Sequence, residues 1–247
     1  MVNGLSQTQR WNNTTIGELS DKYDNLFTPA GYAFSIWGLI FLSLVAYVVF
    51  QWNLIFFKNQ RTDIIEKTGY WFALANLGNT AWVVAFTYGY IGVSVGIMII
   101  ILISLLKIIW NTGMSKSKVS LSIKIFLWGP ISIYAGWITV ATIANVSAFL
   151  ISIGIETSAF TQIIWTMIVI TVALFLNLFI LGLRRTIAFC CVAIWALIAI
   201  YVRHKNGINS IAYYALASAA ILGLAILKTL FWPYLSTRFP TQEHHHD

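Results

Sequence analysis

An all-α integral membrane protein with seven transmembrane helices is the fold class this sequence predicts, and three observations carry it. Hydrophobic residues make up 59% of the 247 and charged residues only 9%, more apolar surface than a soluble core of this size requires. The apolar residues fall in runs of about 20, the length at which a helix crosses the hydrocarbon core while satisfying its own backbone polar groups. The charges collect between those runs and near their ends.

The runs are residues 31–57, 70–87, 88–110, 122–146, 160–182, 186–202 and 208–231. The apolar stretch 70–110 is too long for one crossing at roughly 1.5 Å per residue. It has to turn back, and Thr87-Tyr88-Gly89-Tyr90 is the predicted corner. With the N-terminus outside, eleven Lys and Arg fall on the inner side, while Arg10, Lys22, Arg203 and Lys205 fall on the outer side. That asymmetry follows the positive-inside rule, so the N-terminus is expected outside and the C-terminus inside. The net charge of +7 therefore reports topology and attraction to anionic lipid. Nucleic-acid binding would need a basic face on a folded domain, which this distribution does not provide.

In chain order, residues 1–30 form a polar extracytoplasmic tail. It holds two overlapping Asn-x-Thr sequons in Asn12-Asn13-Thr14-Thr15, and the charges Glu18, Asp21, Lys22 and Asp24, which suit a solvated tail or a short interfacial helix. No apolar signal-peptide core precedes the first span. Phe27-Thr28-Pro29-Ala30-Gly31 breaks the chain at the interface. Tyr32, Phe34 and Trp37 follow, Tyr32 in the position of an interfacial anchor and Trp37 about one and a half turns deeper.

The second span carries Asn76, Asn79, Thr80 and Trp82. Asn76, Asn79 and Thr80 share a face, which suits hydrogen bonds between helices. The third is small on one side, through Gly92, Ser94 and Gly96, and Ile-rich on the other. Lys116 and Lys118 lie in a wet loop with no burial to lower a lysine pKa, so their Ser-x-Lys spacing is not catalytic. In the fourth span Tyr134, Trp137, Ala141 and Asn145 are spaced 3, 4 and 4, one stripe along a helical face. Residues 146–156, with Glu156, read as an outer loop. The adjacent Cys190 and Cys191 staple nothing, Lys228 reads as snorkelling to the inner interface, and His244-His245-His246 sits in a tail at 241–247 expected to be disordered.

Taken together these stretches resemble the TspO family, the tryptophan-rich sensory proteins related to the mitochondrial translocator protein. A family loop Pro-Pro-Gly-Trp-x-Phe is matched by Pro29-Ala30-Gly31-Tyr32-Ala33-Phe34, with Tyr32 in place of tryptophan. An Asn-x-x-Trp helix is matched by Asn79 and Trp82, and Tyr-x-x-Trp-x-x-x-Ala-x-x-x-Asn by Tyr134, Trp137, Ala141 and Asn145. The resemblance covers about residues 25–147. It implies a TspO-like four-helix region at 31–146, lacking the first of the family's five helices, with three further transmembrane helices at 147–240. A truncated or unusual start would account for the missing helix. The Tyr and Arg of the family's sterol-recognition pattern are absent after Asn145.

The function implied is binding of a flat hydrophobic ligand, a tetrapyrrole such as a porphyrin, for sensing or transport. The expected site is Tyr32, Phe34, Trp37, Asn79, Trp82, Tyr134, Trp137, Ala141 and Asn145. Tryptophans would stack on the ligand, and Asn79 and Asn145 would orient its polar edges. No resident cofactor or metal is expected, and the partners are the lipid bilayer, the ligand and, compatibly with this reading, a second copy in a homodimer. Two alternatives remain at this level: a carrier or export component built on the last three spans, and a tetrapyrrole-degrading membrane enzyme. No Asp or Glu lies in any span, which removes the usual relay of an ion-coupled carrier. No catalytic constellation is recognisable.

Overall fold

The computed structural model of the protein describes residues 15–23, 25–57, 63–116, 119–155 and 158–238, and all regular structure among them is helical. The first and second residues of each sequon, Glu156 and the tail at 241–247 lie outside the described residues.

A short helix, α1 (Ile16–Lys22), starts at a reciprocal cap: the Thr15 hydroxyl accepts from the Glu18 amide (3.1 Å) while the Glu18 carboxylate accepts from the Thr15 amide (2.8 Å). A 3₁₀ turn over Gly31–Ser35 follows the Pro29 break and runs into α2 (Ile36–Phe56). The small α3 (Asp63–Thr68) leads to α4 (Trp71–Thr87) and α5 (Ile91–Asn111). The corner between α4 and α5 falls where the sequence places it. Gly89 adopts a left-handed conformation (φ 80°), letting its amide reach the Phe86 carbonyl and the Tyr90 amide the Ala85 carbonyl, a paired closure of the α4 carbonyls.

Helix α6 (Leu121–Ser152) is capped by Ser120 and contains a π-helical segment at Lys124–Trp128. It runs past Asn145 to Ser152, so the expected outer loop at 146–156 shrinks to the residues after 152. The stop is set by Gly154 (φ 76°), whose amide and that of Ile155 close the last turn. Helices α7 (Ala159–Arg184), α8 (Ile187–His204) and α9 (Asn209–Arg238) complete the chain.

Six helical stretches, all but α1, α3 and α4, are long and apolar enough to cross a membrane. The remaining apolar run, 70–87, forms α4, which at 17 residues is shorter. Large apolar side chains such as Leu42, Leu77, Phe175 and Leu224 point outward, as a protein bathed in lipid requires.

Helix α6 is the hub. It packs on α2, α5 and α8, while α4 pairs with α5 and α9 with both α7 and α8. The two halves of the chain therefore meet along α6 and α8. Gly136 makes that meeting close: a Cβ there would lie 2.7 Å from the Phe189 carbonyl oxygen. Backbone approach through a small residue is how helices gain packing where lipid offers no hydrophobic driving force.

The polar residues of α4 behave differently from expectation. The Asn76 amide donates to the Phe72 carbonyl and the Thr80 hydroxyl to the Asn76 carbonyl, both within α4. They satisfy themselves locally, as short polar side chains do on a helix. Cys190 is buried, Cys191 exposed, and both are free.

Candidate functional site

Three helices supply an aromatic cluster, and the local sequence explains why each side chain lies there. The 3₁₀ turn brings Phe34 inward, and Trp37 enters the first turn of α2, where it is buried. From α6, the spacing of Tyr134, Trp137, Ala141 and Asn145 sets a continuous face toward α2 and α4. Trp37 meets Tyr134 at 6.3 Å and Trp137 at 6.4 Å between ring centroids, and Phe34 meets Trp137 at 6.0 Å, all edge to face. Trp82 of α4 stacks on Phe86 at 5.2 Å.

A cavity of about 40 Å³ lies among these rings, walled by Phe34, Trp37, Trp82 and Trp137, with Ala141 and Asn145 also on its wall. Six of the nine residues expected from sequence thus surround one space. Ile16 and Ser20 of α1 and Pro29 also line it, so the polar tail ends in a helix laid over the cavity. Ile16 is 1% exposed and Leu19 8%, which seats α1 by two apolar contacts one turn apart.

The remaining three residues lie elsewhere. Tyr32 is 42% exposed and stands edge-on to Trp195 of α8 at 5.2 Å. Tyr134 is buried behind Trp37, its hydroxyl donating to the Ala75 carbonyl (3.4 Å). Asn79 is buried in α4 outside the cavity wall, and its Oδ1 has no hydrogen-bond partner among the described residues.

The polar groups at the cavity are few. Asn145 Oδ1 accepts from the Trp82 indole N–H (2.7 Å) and from the Ser94 hydroxyl (3.2 Å), and its Nδ2 donates to Ser94 Oγ (2.9 Å). One amide therefore ties α6 to α4 and α5, and its partners already occupy much of the capacity expected to orient a ligand. The Trp137 indole N–H, by contrast, is buried without a partner among the described residues. No acid, lysine, histidine or cysteine among the described residues lines the space. Among the described residues, no group of three or more His, Cys, Asp or Glu could hold a metal. The arrangement supports stacking and one or two hydrogen bonds, and among the described residues it offers no positioned general acid, base or nucleophile.

The segment that forms the cavity lip is fastened from the far half of the chain. The Trp195 indole donates to the Ala33 carbonyl (3.2 Å), the Ala30 amide to the Ala199 carbonyl (3.2 Å), and Arg203 to the Pro29 carbonyl (3.5 Å). His204 Nε2 pairs with the Leu26 carbonyl (2.8 Å), and Phe27 is buried against α8 and its neighbours. All four bonds involve backbone groups of 26–33, so sequence inspection of α8 could not find them.

With this geometry in view, the comparison with known families is decisive: the family described as TSPO-like protein matches residues 1–228. The chain belongs to the TSPO-like protein family. The match runs beyond Asn145 through α7, α8 and most of α9, so the helices that resemblance alone set apart lie within the family's extent in this TSPO-like protein. No curated protein and no solved structure matched the chain.

Proposed function

We propose that this TSPO-like protein binds a flat hydrophobic ligand, a tetrapyrrole such as a porphyrin, between α2, α4 and α6, for sensing or transport. The observation that carries this reading is the uncharged cavity walled by Phe34, Trp37, Trp82 and Trp137 under α1. Five aromatic rings, Phe86 being the fifth, with one unpartnered indole N–H suit an aromatic macrocycle with a polar edge. Ligand sites for molecules of that size occupy several hundred Å³, and this space is about 40 Å³. Binding therefore requires the rings to part and α1 to lift. Because α1 is held mainly by Ile16 and Leu19, it is the wall that moves most cheaply. In the same reading α4 is the seventh crossing, since 17 residues span about 25 Å, and the N-terminus lies outside.

Titrating the purified protein with protoporphyrin while following tryptophan fluorescence tests this. Saturable quenching is expected, reduced at least ten-fold in affinity by Trp37→Ala with Trp137→Ala and by Ala141→Leu, which narrows the cavity. Leu19→Ser, which loosens α1, is expected to speed association. Quenching that does not saturate, or that is unchanged in all three variants, rejects the assignment.

A further inference from the structure

Arg184, the last residue of α7, is a buried cation without a counter-ion. It is 5% exposed, and its guanidinium lies 4.4 Å from the centre of the Trp110 ring of α5. Among the described residues no carboxylate pairs with it and no acceptor takes a hydrogen bond from its guanidinium. Helices α5 to α9 contain no Asp or Glu. The cation–π contact offsets only part of the cost of removing a charge from water, so the guanidinium keeps its N–H donors to offer. Trp110 is itself 66% exposed, which places the pair at the rim of the bundle.

The chain that follows leaves more donors unused. Arg185 ends α7 in a left-handed conformation (φ 47°), and its carbonyl accepts from the Ile187 amide (3.0 Å), so Thr186 sits in the middle of a tight turn (φ −81°, ψ 79°). An ordinary N-cap has extended backbone and turns its hydroxyl to the first amides of the helix. Thr186 does neither. It is 4% exposed, yet its Oγ1 has no partner among the described residues and caps no amide of α8. The Ala188 and Phe189 amides belong to the first turn of α8, which a helix cannot satisfy internally, and no described group accepts from them. Two contacts tie this corner to the end of α5. The Phe189 carbonyl lies against Gly136 of α6, and Ser132, one turn earlier on α6, donates to Met114 Sδ (3.2 Å) just after Trp110 and α5.

An unpaired guanidinium, an unpartnered hydroxyl and a helix N-terminus with free amides thus fall within residues 184–189, and together they complement one anion with several acceptor oxygens. We infer that the corner between α7 and α8 binds a phosphate group. The Arg184 fork takes two of its oxygens, and the Thr186 hydroxyl with the Ala188 and Phe189 amides takes the others. A carboxylate has too few oxygens to meet this donor set. Arg185 is exposed and Ala188 half-buried, so the corner opens on that side and carries a second positive charge there. The phosphate is that of an anionic lipid headgroup or a free phosphate, one chemistry with two sources.

Thermal unfolding of the full chain in maltoside detergent, freed of lipid, tests the site with dioleoyl phosphatidylglycerol, dioleoyl phosphatidylcholine, and sodium phosphate set against sodium chloride at equal ionic strength. A ligand of the folded state raises the midpoint, here by about 5 °C at saturation. A rise with phosphatidylglycerol well above that with phosphatidylcholine, and none with phosphate, assigns a lipid headgroup; a rise with sodium phosphate assigns a free phosphate. Arg184→Gln removes an uncompensated charge, so its unliganded midpoint is expected to hold or rise while the ligand-dependent rise disappears. Thr186→Val replaces a hydroxyl that bonds nothing, so it keeps the fold while affinity falls about ten-fold, the effect of one hydrogen bond to a charged group. Lys205→Gln, beyond the other end of α8, leaves the rise intact. No rise with either phosphatidylglycerol or phosphate, equal rises with the two lipids and none with phosphate, or a rise undiminished in Arg184→Gln or Thr186→Val would overturn the proposal.

Discussion

Replacing Gly136 by alanine is the sharpest probe of how the two halves of the protein are joined. The new Cβ would sit 2.7 Å from the Phe189 carbonyl oxygen and 3.2 Å from its Cα, with Val192 Cβ at 3.1 Å. Ordinary contact begins near 3.4 Å, so α6 and α8 have to part by about 0.7 Å. Two of the three obstructing atoms are backbone, and no rotamer change clears them. Overpacking of this kind costs about 1–3 kcal/mol, whereas glycine to alanine in an unobstructed helix gains roughly 0.5–1 kcal/mol. The two effects differ in sign, which makes the experiment decisive. Thermal unfolding in detergent, followed by tryptophan fluorescence, is expected to show Gly136→Ala lower by about 3–10 °C, on the scale of about 2–4 °C per kcal/mol for chains of this size. Gly96→Ala, where a Cβ meets nothing within 4 Å, should hold or rise. A Gly136→Ala protein as stable as wild type, or more so, would refute the close crossing.

Two further outcomes are expected. Asn145→Leu strands the Trp82 indole, while the Ser94 hydroxyl keeps its bond to the Ile91 carbonyl (2.7 Å), and should cost about 1–3 kcal/mol; in a double-mutant cycle with Trp82→Phe by chemical denaturation, the second change should cost measurably less in the Asn145→Leu background. Additive losses would mean the 2.7 Å bond is not a coupled contact. Trp195→Phe removes the bond to Ala33 and should accelerate hydrogen exchange of amides in 26–35 about five-fold, the effect of about 1 kcal/mol, while α5 is unchanged; uniform acceleration throughout would argue against a local fastening.

The helices were legible because hydropathy and backbone satisfaction in lipid act on long segments, and the corner at Gly89 because one residue type suits a left-handed turn. The cavity wall was legible where spacing is local: Trp137, Ala141 and Asn145 lie on one helix and share a face by periodicity alone. What depended on pairs of segments was not. Nothing in Ser94 marks it as the partner of Asn145, 51 residues away. Tyr32 has the place of a cavity tryptophan in the family loop, yet its ring meets Trp195. A short interfacial helix was one of the two readings of the charges at 18–24, and α1 bears it out; its seat on the cavity was hidden by brevity, since two buried apolar residues in seven give no periodicity to read. The continuation of α6 past Asn145 was hidden by polarity: Asn145 and Ser147 look like a helix end, but Asn145 is satisfied by α4 and α5 and Ser147 by its own helix.

The clasp of α8 on residues 26–33 also dictates an order of events. His204 and Leu26 are 178 residues apart, so in a chain made from its N-terminus the lip leaves the ribosome long before its fastener exists. Until α8 has entered the membrane, the carbonyls of Leu26, Pro29 and Ala33 lack the partners they have in the finished protein. The aromatic chamber is thus completed by the part of the protein that contributes no ring to it, and its assembly is a report that the chain has been inserted as far as α8.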